Sequence, residues 1–357
     1  MKIFMLIKWL HNSGAPKMFM WLANSLAERG HEVLVCTYQN QYEGTLSPLV
    51  MHVDFSDEEQ GFFGRIKRIR GIVKEFDADV SISFLLDANV YNMFACYGLR
   101  TKSIVCERND PFKSHYWKLK FWKPWFRLAD GAVFQLPKVA EYYSCIKGET
   151  AVIPNPIMKR SEVTSLPFAD RRNLIVTHGR LDIEQKRQDV LIKAFAILHK
   201  DYPDYKLSIY GGGEVKDRIR LEEMINMLHL AGVVKLEGES LHPEECIKDA
   251  KIWVITSDFE GIPNALIEAM TIGMPCVATD CSPGGARLLI DEGRNGFVVP
   301  RGDHKAVYRK MKYLIEHPNE ADQIGKAASF IAEKFAPEGI INQWEEYCKR
   351  LIARAAE

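Results

Sequence analysis

The feature that most constrains the fold of this chain is a repeated alternation of short apolar runs with helical patterns. This alternation favours parallel β-sheets that are covered on both faces by helices. A chain of 357 residues also exceeds what one hydrophobic core usually organises. We therefore predict an α/β fold with two Rossmann-like, doubly wound parallel-sheet domains. The predicted strands are Lys2–Lys8, Glu32–Thr37, Val80–Leu85, Ser103–Glu107, Ala132–Phe134, Ala151–Ile153, Leu174–His178, Leu207–Tyr210, Val233–Leu236, Ile252–Thr256, Cys276–Thr279 and Phe297–Val299.

The prolines Pro154 and Pro156 mark the boundary between the predicted domains, because neither can continue a strand ladder or a helix. We place the N-terminal domain at 1–158 and the C-terminal domain at 170–336. A last segment, 337–357, repeats apolar residues with helical spacing. We expect this helix to cross back toward the N-terminal domain.

Composition excludes several classes of protein. The eight cysteines include no CxxC pair, which favours reduced thiols over a zinc site. The N-terminal run MKIFMLIKW is too short for a secretory leader, and no apolar run could span a bilayer, so we predict a cytoplasmic protein. The net charge is zero, which argues against a nucleic-acid partner.

The motif with the clearest chemistry is 257–270, which reads SDFEGIPNALIEAM and follows a predicted strand. Pro263 suits the first position of a helix. The backbone N–H groups of the next residues are then unpaired and can bind an anion. Two carboxylates, Glu260 and Glu268, flank this helix start and can accept hydrogen bonds from sugar hydroxyls.

This motif resembles the E-x7-E motif of retaining GT-B glycosyltransferases of family 4, which includes bacterial enzymes of lipid-linked glycan, capsule and O-antigen synthesis. The resemblance implies two domains facing a crevice, the first for the acceptor and the second for a nucleotide sugar. It implies that Glu268 binds the donor ribose and Glu260 the transferred sugar. The residues expected to cradle the donor here are Ile262, Pro263, Asn264, Ala265 and Leu266.

Further motifs of the second half follow the order of that family. His178-Gly179-Arg180-Leu181 with Lys186 is similar to its G-R-L…K motif, in which Arg and Lys bind the donor diphosphate. Such cations would stabilise the leaving group. Arg187 is expected to be solvated. Gly211 and Gly213 resemble the glycine loop near the nucleoside, although a tight turn would also explain them. The role of Asp280–Ala286 stays open.

Matches in the first half are weaker. Gly14 follows the first strand where the family has a G-G-A-E-R motif, but Ser13, Pro16 and Lys17 depart from it. The string 107–110 resembles a motif of enzymes that build lipid-linked glycans. It implies contacts to the sugar or the acceptor, whereas Asp110 before Pro111 could simply form a turn. These acceptor candidates are Glu107, Arg108, Asn109 and Asp110.

No metal or other cofactor is expected. The only notable DxD spacing, Asp77-Ala78-Asp79, joins a helix to a strand at the wrong end of the sheet. The family implied by the resemblance generally works without a metal, using the helix dipole and cations.

Two basic segments suggest a membrane partner. Phe112–Leu128 interleaves five cations with aromatic residues and carries no acid, and Arg65–Arg70 is the second segment. This composition suits an anionic lipid surface. The hypothesis is peripheral binding to the inner leaflet of the plasma membrane and a polyprenyl-pyrophosphate-linked acceptor. A helix that packs on the core and has a solvated basic face is the alternative.

We therefore predict transfer of a hexose or N-acetylhexosamine from a nucleotide diphosphate sugar, with UDP favoured by resemblance, to a glycan or lipid-linked glycan. The rivals are a nucleotide-sugar epimerase and a non-catalytic nucleotide-sugar-binding partner of another transferase. A nicotinamide dehydrogenase would need GxGxxG after the first strand, and residues 12–14 do not supply it.

Overall fold

The computed structural model describes residues 1–10, 14–39, 44–56, 61–108, 110–112, 117–157, 163, 166–240 and 242–354. The chain forms two compact units. The first comprises Met1–Pro156 together with Pro337–Glu357, and the second comprises Ile157–Ala336. The divisions therefore fall at Pro156 and Ala336, and the last segment of the chain belongs to the first unit.

The first unit is built on a seven-stranded parallel sheet with the order β3-β2-β1-β4-β5-β6-β7. Its strands are β1 (Lys2–Ile7), β2 (Glu32–Thr37), β3 (Val50–Asp54), β4 (Val80–Phe84), β5 (Lys102–Cys106), β6 (Gly131–Phe134) and β7 (Glu149–Val152). Its helices are α1 (Gly14–Glu28), α2 (Phe62–Phe76), α3 (Leu86–Cys96), α4 (Trp117–Trp122), a 3₁₀ helix (Lys123–Leu128) and α5 (Pro137–Tyr142).

The second unit has a six-stranded parallel sheet with the order β10-β9-β8-β11-β12-β13. Its strands are β8 (Arg172–His178), β9 (Lys206–Tyr210), β10 (Val234–Gly238), β11 (Ala250–Ile255), β12 (Cys276–Thr279) and β13 (Phe297–Val299). Its helices are a 3₁₀ helix (Phe168–Asp170), α6 (Gln188–Asp201), α7 (Val215–Met227), α8 (Pro243–Ile247), α9 (Asn264–Thr271), α10 (Gly285–Leu289), α11 (His304–Glu316), α12 (Pro318–Ser329) and α13 (Ile331–Lys334). The chain ends with α14 (Pro337–Ala353) in the first unit.

Helix α14 explains why the last segment joins the first unit. Its apolar stripe is buried, as the spacing predicts, at Ile340, Ile341, Trp344, Tyr347, Cys348 and Leu351. The Tyr347 hydroxyl donates to the Glu149 carbonyl at 2.7 Å, which joins the helix to β7. Arg29, directly after α1, donates to Glu345 at 3.0 Å. Packing and polar contacts therefore both fix this helix.

Strand order sets the functional edge of each sheet. In both units the order reverses beside the first strand, between β1 and β4 and between β8 and β11. Ligands of open parallel sheets bind beyond the carboxyl ends of the strands at such a switch point. In the second unit, the loops that follow β8 and β11 meet there.

The predicted fold class is confirmed, and each predicted strand is present. The strand that the sequence patterns did not predict is β3, where Met51 is 45% exposed and His52 and Asp54 are also exposed. It lies at the edge of its sheet, so a continuous apolar run is not required. Among the described residues, no helix is both long and apolar enough to cross a membrane.

Candidate functional site

Helix α9 presents its N-terminus at the switch point of the second unit. Its first residue is Asn264, and Pro263 is the N-cap, with φ −73° and ψ 103°. The prediction that Pro263 is the first helical residue is therefore wrong by one position. The Ile267 N–H donates to the Pro263 carbonyl at 3.2 Å, so helical bonding begins there. The N–H groups of Asn264, Ala265 and Leu266 precede that bond and remain available to an anion.

Glu260 lies in the loop between β11 and α9 and is fixed by two donors. Its Oε1 accepts a hydrogen bond from the Ser257 hydroxyl at 2.9 Å and forms an ion pair with the Lys186 ammonium at 2.5 Å. The side chain of Glu260 is 11% exposed and that of Lys186 is 20% exposed. A cation and a carboxylate are thus held together close to the start of α9.

Glu268 lies in the second turn of α9, as predicted, and contacts His178 at the end of β8. The distance between His178 Nε2 and Glu268 Oε2 is 3.0 Å. On the other side of the imidazole, the Trp253 indole N–H donates to His178 Nδ1 at 2.9 Å. The two predicted motifs, 178–186 and 257–270, are therefore joined through His178.

The loop after β8 carries Arg180, and hydrogen bonds hold its backbone at two points. Buried Gln188 donates from Nε2 to the Arg180 carbonyl at 2.9 Å. The Asp258 N–H donates to the Gln185 carbonyl at 2.9 Å. The Arg180 side chain is itself 62% exposed and contacts Asp182 at 2.7 Å. The backbone of this loop is thus fixed, whereas the Arg180 guanidinium can reach a ligand.

The expectation that Arg187 is solvated is wrong. Its guanidinium forms ion pairs with Asp258 at 2.7 Å and Asp189 at 3.0 Å and is 29% exposed. Hydrogen bonds to Asp189 and Asp258 raise the pKa of Arg187 above its ordinary value. Arg187 also adopts a left-handed conformation at φ +53°, where the chain turns into α6. This arginine therefore joins the two site loops.

The glycines of the site allow loops to pack backbone against backbone. Gly179 and Gly211 have φ values of +141° and +140°, which disfavour any residue with a side chain. A Cβ atom at Gly211 would overlap the Gly179 carbonyl, and one at Gly213 would overlap the Leu181 carbonyl. The Leu181 N–H donates to the Gly212 carbonyl at 2.6 Å. Packing between loops accounts for these glycines, and their contact with a ligand stays a prediction.

The segment 280–286, whose role the sequence left open, supports the loop of Glu260. The Glu260 N–H donates to the Ser282 carbonyl at 2.8 Å, and the Ser282 N–H donates to the Asp258 carbonyl at 3.0 Å. Burial raises the pKa of the Cys281 thiol to about 11, so this cysteine is protonated at neutral pH. Asp280 pairs with Arg287 at 2.9 Å. These contacts give the segment a supporting role.

The first-unit candidates do not form one cluster of side chains among the described residues. Gly14 is the first residue of α1, and Asn109 lies outside the described residues. Asp110 accepts the Phe112 N–H at 2.9 Å, which is the turn-forming role. Glu107 is 2% exposed, and its Oε1 accepts the Arg108 N–H at 3.0 Å.

Arg108 is held largely by aromatic and amide groups. Its guanidinium lies 4.3 Å from the centre of the Phe84 ring and donates to Asn155 at 3.2 Å. Burial lowers the pKa of Arg108 from its ordinary value. This arginine therefore supports the end of β5.

The basic segments divide into buried and exposed side chains. Arg65 donates to the Tyr91 hydroxyl at 2.9 Å, and Arg70 donates to the carbonyls of Ala95 and Tyr97. Arg65 and Arg70 thus contact other parts of the protein, whereas Lys67 and Arg68 are exposed, and contact of this segment with lipid stays a prediction. In Phe112–Leu128, residues 113–116 lie outside the described residues, and Leu119 and Phe126 are buried. The exposed residues among those described in this part are Phe112, Lys118, Lys120, Phe121, Pro124, Trp125 and Arg127.

The two acids of the DxD spacing, which was not expected to bind a metal, have structural roles. Asp77 is the left-handed C-cap of α2, and Asp79 Oδ2 accepts the Lys2 N–H at 2.8 Å. Sequence reasoning missed three supporting features of the site, namely Ser257, Trp253 and the pairing of His178. The position of His178 at the end of the first strand of the second unit was the signal in the sequence that could have placed it in the site.

The site therefore combines an anion-binding helix end, two cations on a fixed loop and two carboxylates whose orientations are set by neighbours. Such a set can bind a diphosphate through Lys186, Arg180 and the N–H groups of α9, and hydroxyl groups through Glu260 and Glu268.

Comparison with known proteins agrees with this chemistry. Residues 158–329, a little under half of the chain, match the family model described as glycosyl transferases group 1. This range lies entirely within the second unit and includes every residue of the site at α9.

Curated relatives also carry glycosyltransferase names. An uncharacterised glycosyltransferase of Methanocaldococcus jannaschii is 32% identical over 64% of this chain, and the matched region spans 62% of that relative. An uncharacterised glycosyltransferase of Haemophilus influenzae is 24% identical over 93% of this chain and 95% of its own length. A Campylobacter jejuni enzyme named as an α-1,4-N-acetyl-D-galactosaminyltransferase acting on a GalNAc-containing diNAcBac-PP-undecaprenol is 25% identical over 96% of this chain and 97% of its own length.

Solved structures share the fold. The Anabaena protein HepE in complex with UDP superposes with a TM-score of 0.78 and 19% identity over 98% of this chain and all of its own. The lipopolysaccharide outer core galactosyltransferase WaaB superposes with a TM-score of 0.80 and 19% identity over 97% of this chain and 98% of its own. The two parallel-sheet units thus have the GT-B fold. Residues 158–329 thus resemble the glycosyl transferases group 1 family, and the relatives together with the shared fold indicate a glycosyltransferase.

Proposed function

We propose that this protein is a retaining glycosyltransferase that moves a hexose or N-acetylhexosamine from a UDP-sugar to a lipid-linked glycan. The observation that supports this most is the Lys186–Glu260 ion pair beside the N-terminus of α9. It offers a cation to the leaving diphosphate and a carboxylate to the sugar at one place. The N–H groups at the start of α9 and Arg180 complete the phosphate contacts.

In this reaction, the bond from the sugar anomeric carbon to the diphosphate breaks, and a bond to the acceptor oxygen forms on the same face. The acceptor hydroxyl proton passes to an oxygen of the departing diphosphate, so no protein base is needed. Lys186 and Arg180 stabilise the charge that the diphosphate gains. Glu260 orients the sugar, and Glu268 binds the ribose.

The choice of UDP is supported by the structural relative HepE, which was solved with UDP and, separately, with UDP-glucose. The choice of acceptor is supported by the Campylobacter jejuni relative, whose name specifies an undecaprenol-linked glycan. Glu107, Arg108, Asn109 and Asp110 remain the candidates for acceptor contact, with Asp110 and Arg108 the weakest because of their structural roles.

A panel of nucleotide sugars in a thermal-shift assay tests the donor. UDP-hexoses or UDP-N-acetylhexosamines should raise the melting temperature most. Slow release of UDP in the absence of acceptor would distinguish an enzyme from a non-catalytic binding partner. A nucleotide sugar recovered with one inverted hydroxyl would instead identify an epimerase.

Mass spectrometry with undecaprenyl-linked glycans then tests the acceptor. The expected product is heavier by one hexose or N-acetylhexosamine, and NMR of its new linkage should show the anomeric configuration of the donor. Product of inverted configuration would exclude the retaining mechanism.

We also propose that the reaction requires no metal, because Lys186, Arg180 and the α9 N–H groups can neutralise the diphosphate. Activity should survive EDTA. Loss of activity that Mn²⁺ restores would refute this proposal.

Peripheral membrane binding at the inner leaflet is the last part of the proposal. Exposed Phe121 (61%) and Trp125 (42%) lie beside exposed lysines in α4 and the following 3₁₀ helix. The double substitution Phe121→Ser and Trp125→Ser should reduce flotation with anionic liposomes. Equal flotation with neutral and anionic vesicles, or no effect of the substitution, would exclude this surface.

A further inference from the structure

We propose that His178 and Trp253 are positioning residues that orient Glu268 toward the ribose diol of the donor nucleotide. This inference rests on the proposed function, because it takes Glu268 to be the ribose ligand. It assigns a role to two side chains that need not touch the substrate. Their effect should appear as a dependence of binding on the ribose hydroxyls.

The hydrogen bonds fix the protonation state of the imidazole. An indole N–H can only donate, so His178 Nδ1, at 2.9 Å from Trp253 Nε1, must accept and therefore carries no proton. The proton of the neutral ring is then on Nε2. That N–H donates to Glu268 Oε2 at 3.0 Å.

The same bonds exclude an ordinary charged pair between His178 and Glu268. A protonated imidazole is a donor at both nitrogens. Its Nδ1–H would face the Trp253 N–H, and the Trp253 hydrogen bond would be lost. His178 is therefore a neutral donor to Glu268. The hydrogen bond from Trp253 fixes the orientation of the imidazole ring.

The chain of contacts starts from rigid parts of the fold. Trp253 is fully buried in β11, and the His178 side chain is 8% exposed at the end of β8. The two strands pair directly, with Trp253 opposite Val176. Glu268 is 23% exposed on α9, so it can be reached by a ligand. A glutamate on a short helix is thus held by groups whose own rotamers are fixed by the sheet.

This restraint should strengthen binding by removing side-chain freedom before the ligand arrives. A carboxylate that has been ordered in advance loses less entropy when it accepts hydrogen bonds from a diol. Without His178, Glu268 would lose this restraint, and more of its ordering would fall to the nucleotide.

Two substitutions at one position separate the two bonds of His178. In His178→Gln, the amide nitrogen lies as many bonds from the backbone as Nε2, so it can still donate to Glu268. In His178→Asn, the side chain reaches only the position of Nδ1, so it can accept from Trp253 but not contact Glu268. Trp253→Phe keeps the aromatic packing but removes the indole donor. Glu268→Ala is the reference for loss of the carboxylate.

The measurement is the ratio of the dissociation constants of UDP and of its 2′-deoxy and 3′-deoxy analogues, by calorimetry on the full chain. If another nucleoside diphosphate binds more tightly in the initial panel, its ribo and deoxy forms replace these. A hydrogen bond to a charged group typically corresponds to about a 10- to 100-fold ratio. We expect that ratio in the wild type and a ratio near one in Glu268→Ala.

His178→Asn should reduce the ratio at least about threefold, Trp253→Phe about twofold, and His178→Gln should keep it within about twofold of the wild type. In turnover assays, His178→Asn should raise KM for the donor more than it lowers kcat. A merely structural role would weaken UDP and its deoxy analogues equally in His178→Asn and His178→Gln, and that result would overturn the inference. Should Glu268→Ala itself keep the wild-type ratio, the proposed ribose contact would fail instead.

Discussion

The switch points of the two units have the same strand order but use polar side chains in opposite ways. In the first unit, Ser83, Asn89 and Asn92 are buried between α3, β4 and β5. Asn89 accepts the Cys106 N–H at 3.1 Å and donates to the Cys106 carbonyl at 3.0 Å, and Asn92 donates to the Ser81 carbonyl at 3.0 Å. These amides attach a helix to the sheet.

In the second unit, the corresponding edge presents partly exposed Lys186, Glu260 and Glu268. Their partners, Ser257 and His178, fix them without covering them. The comparison shows that one topology can place its polar groups either for internal attachment or for a ligand. It predicts that substitutions in the first region act on stability and those in the second act on activity.

The largest expected effect is that of Lys186→Ala. Loss of a fixed cation beside the leaving diphosphate should lower kcat by about 100- to 1000-fold. Steady-state kinetics with the preferred donor provide the measurement. Lys193→Ala, which removes a 46% exposed lysine on α6, is the matched control and should leave kcat unchanged. Comparable kcat values for both variants would contradict the assignment.

Asn89→Ala should have the next largest effect, and on stability only. It removes the buried acceptor of the Cys106 N–H and one of the donors to the Cys106 carbonyl, at a cost of about 2–3 kcal/mol in the free energy of unfolding. Urea denaturation measures this, with Asn226→Ala, which changes an exposed asparagine on α7, as control. The dissociation constant of UDP should not change. A weakened UDP complex would break the proposed separation of roles.

Arg180 and Arg187 test the comparison within one loop. Arg180→Ala should lower kcat about tenfold with an unchanged melting temperature, because its guanidinium is 62% exposed. Arg187→Ala should instead reduce stability by about 1 kcal/mol, because Asp189 and Asp258 lose their partner. The reverse pattern would show that the phosphate-binding cation has been misassigned.

The smallest effect is expected at Glu345 on α14. Burial alone would raise the pKa of Glu345, but the hydrogen bond from His31 and the charge of Arg29 outweigh it and lower the pKa. The ionised form therefore adds stability above the ordinary glutamate pKa, and this contribution is lost as pH falls through the lower folded value.

Glu345→Gln should accordingly lower the melting temperature by about 2 °C at pH 7. The difference between the two proteins should shrink as pH falls below about 4.5. A difference that stays constant from pH 7 to pH 3 would mean that the charge of Glu345 adds nothing.

Much of the fold could be predicted because central parallel strands are buried on both faces and read as apolar runs. Edge strand β3 was not predicted, because its exposed residues interrupt the apolar pattern. The site motifs were identified from their spacing in the chain. The pairing of His178 with Glu268, and the role of Arg187, depend on which loops meet at the sheet edge. Neither follows from spacing, since His178 and Glu268 lie 90 positions apart, and Arg187 and Asp258 lie 71 positions apart.

The glycines that let the site loops touch have a consequence for protein engineering. A side chain at Gly211, Gly213 or Gly285 would strike the carbonyl of a neighbouring loop rather than a movable group. Libraries aimed at a new sugar specificity should therefore leave these positions unvaried and diversify more accessible positions such as Ile262 and Asn264. Randomising the glycines would mostly yield misfolded clones.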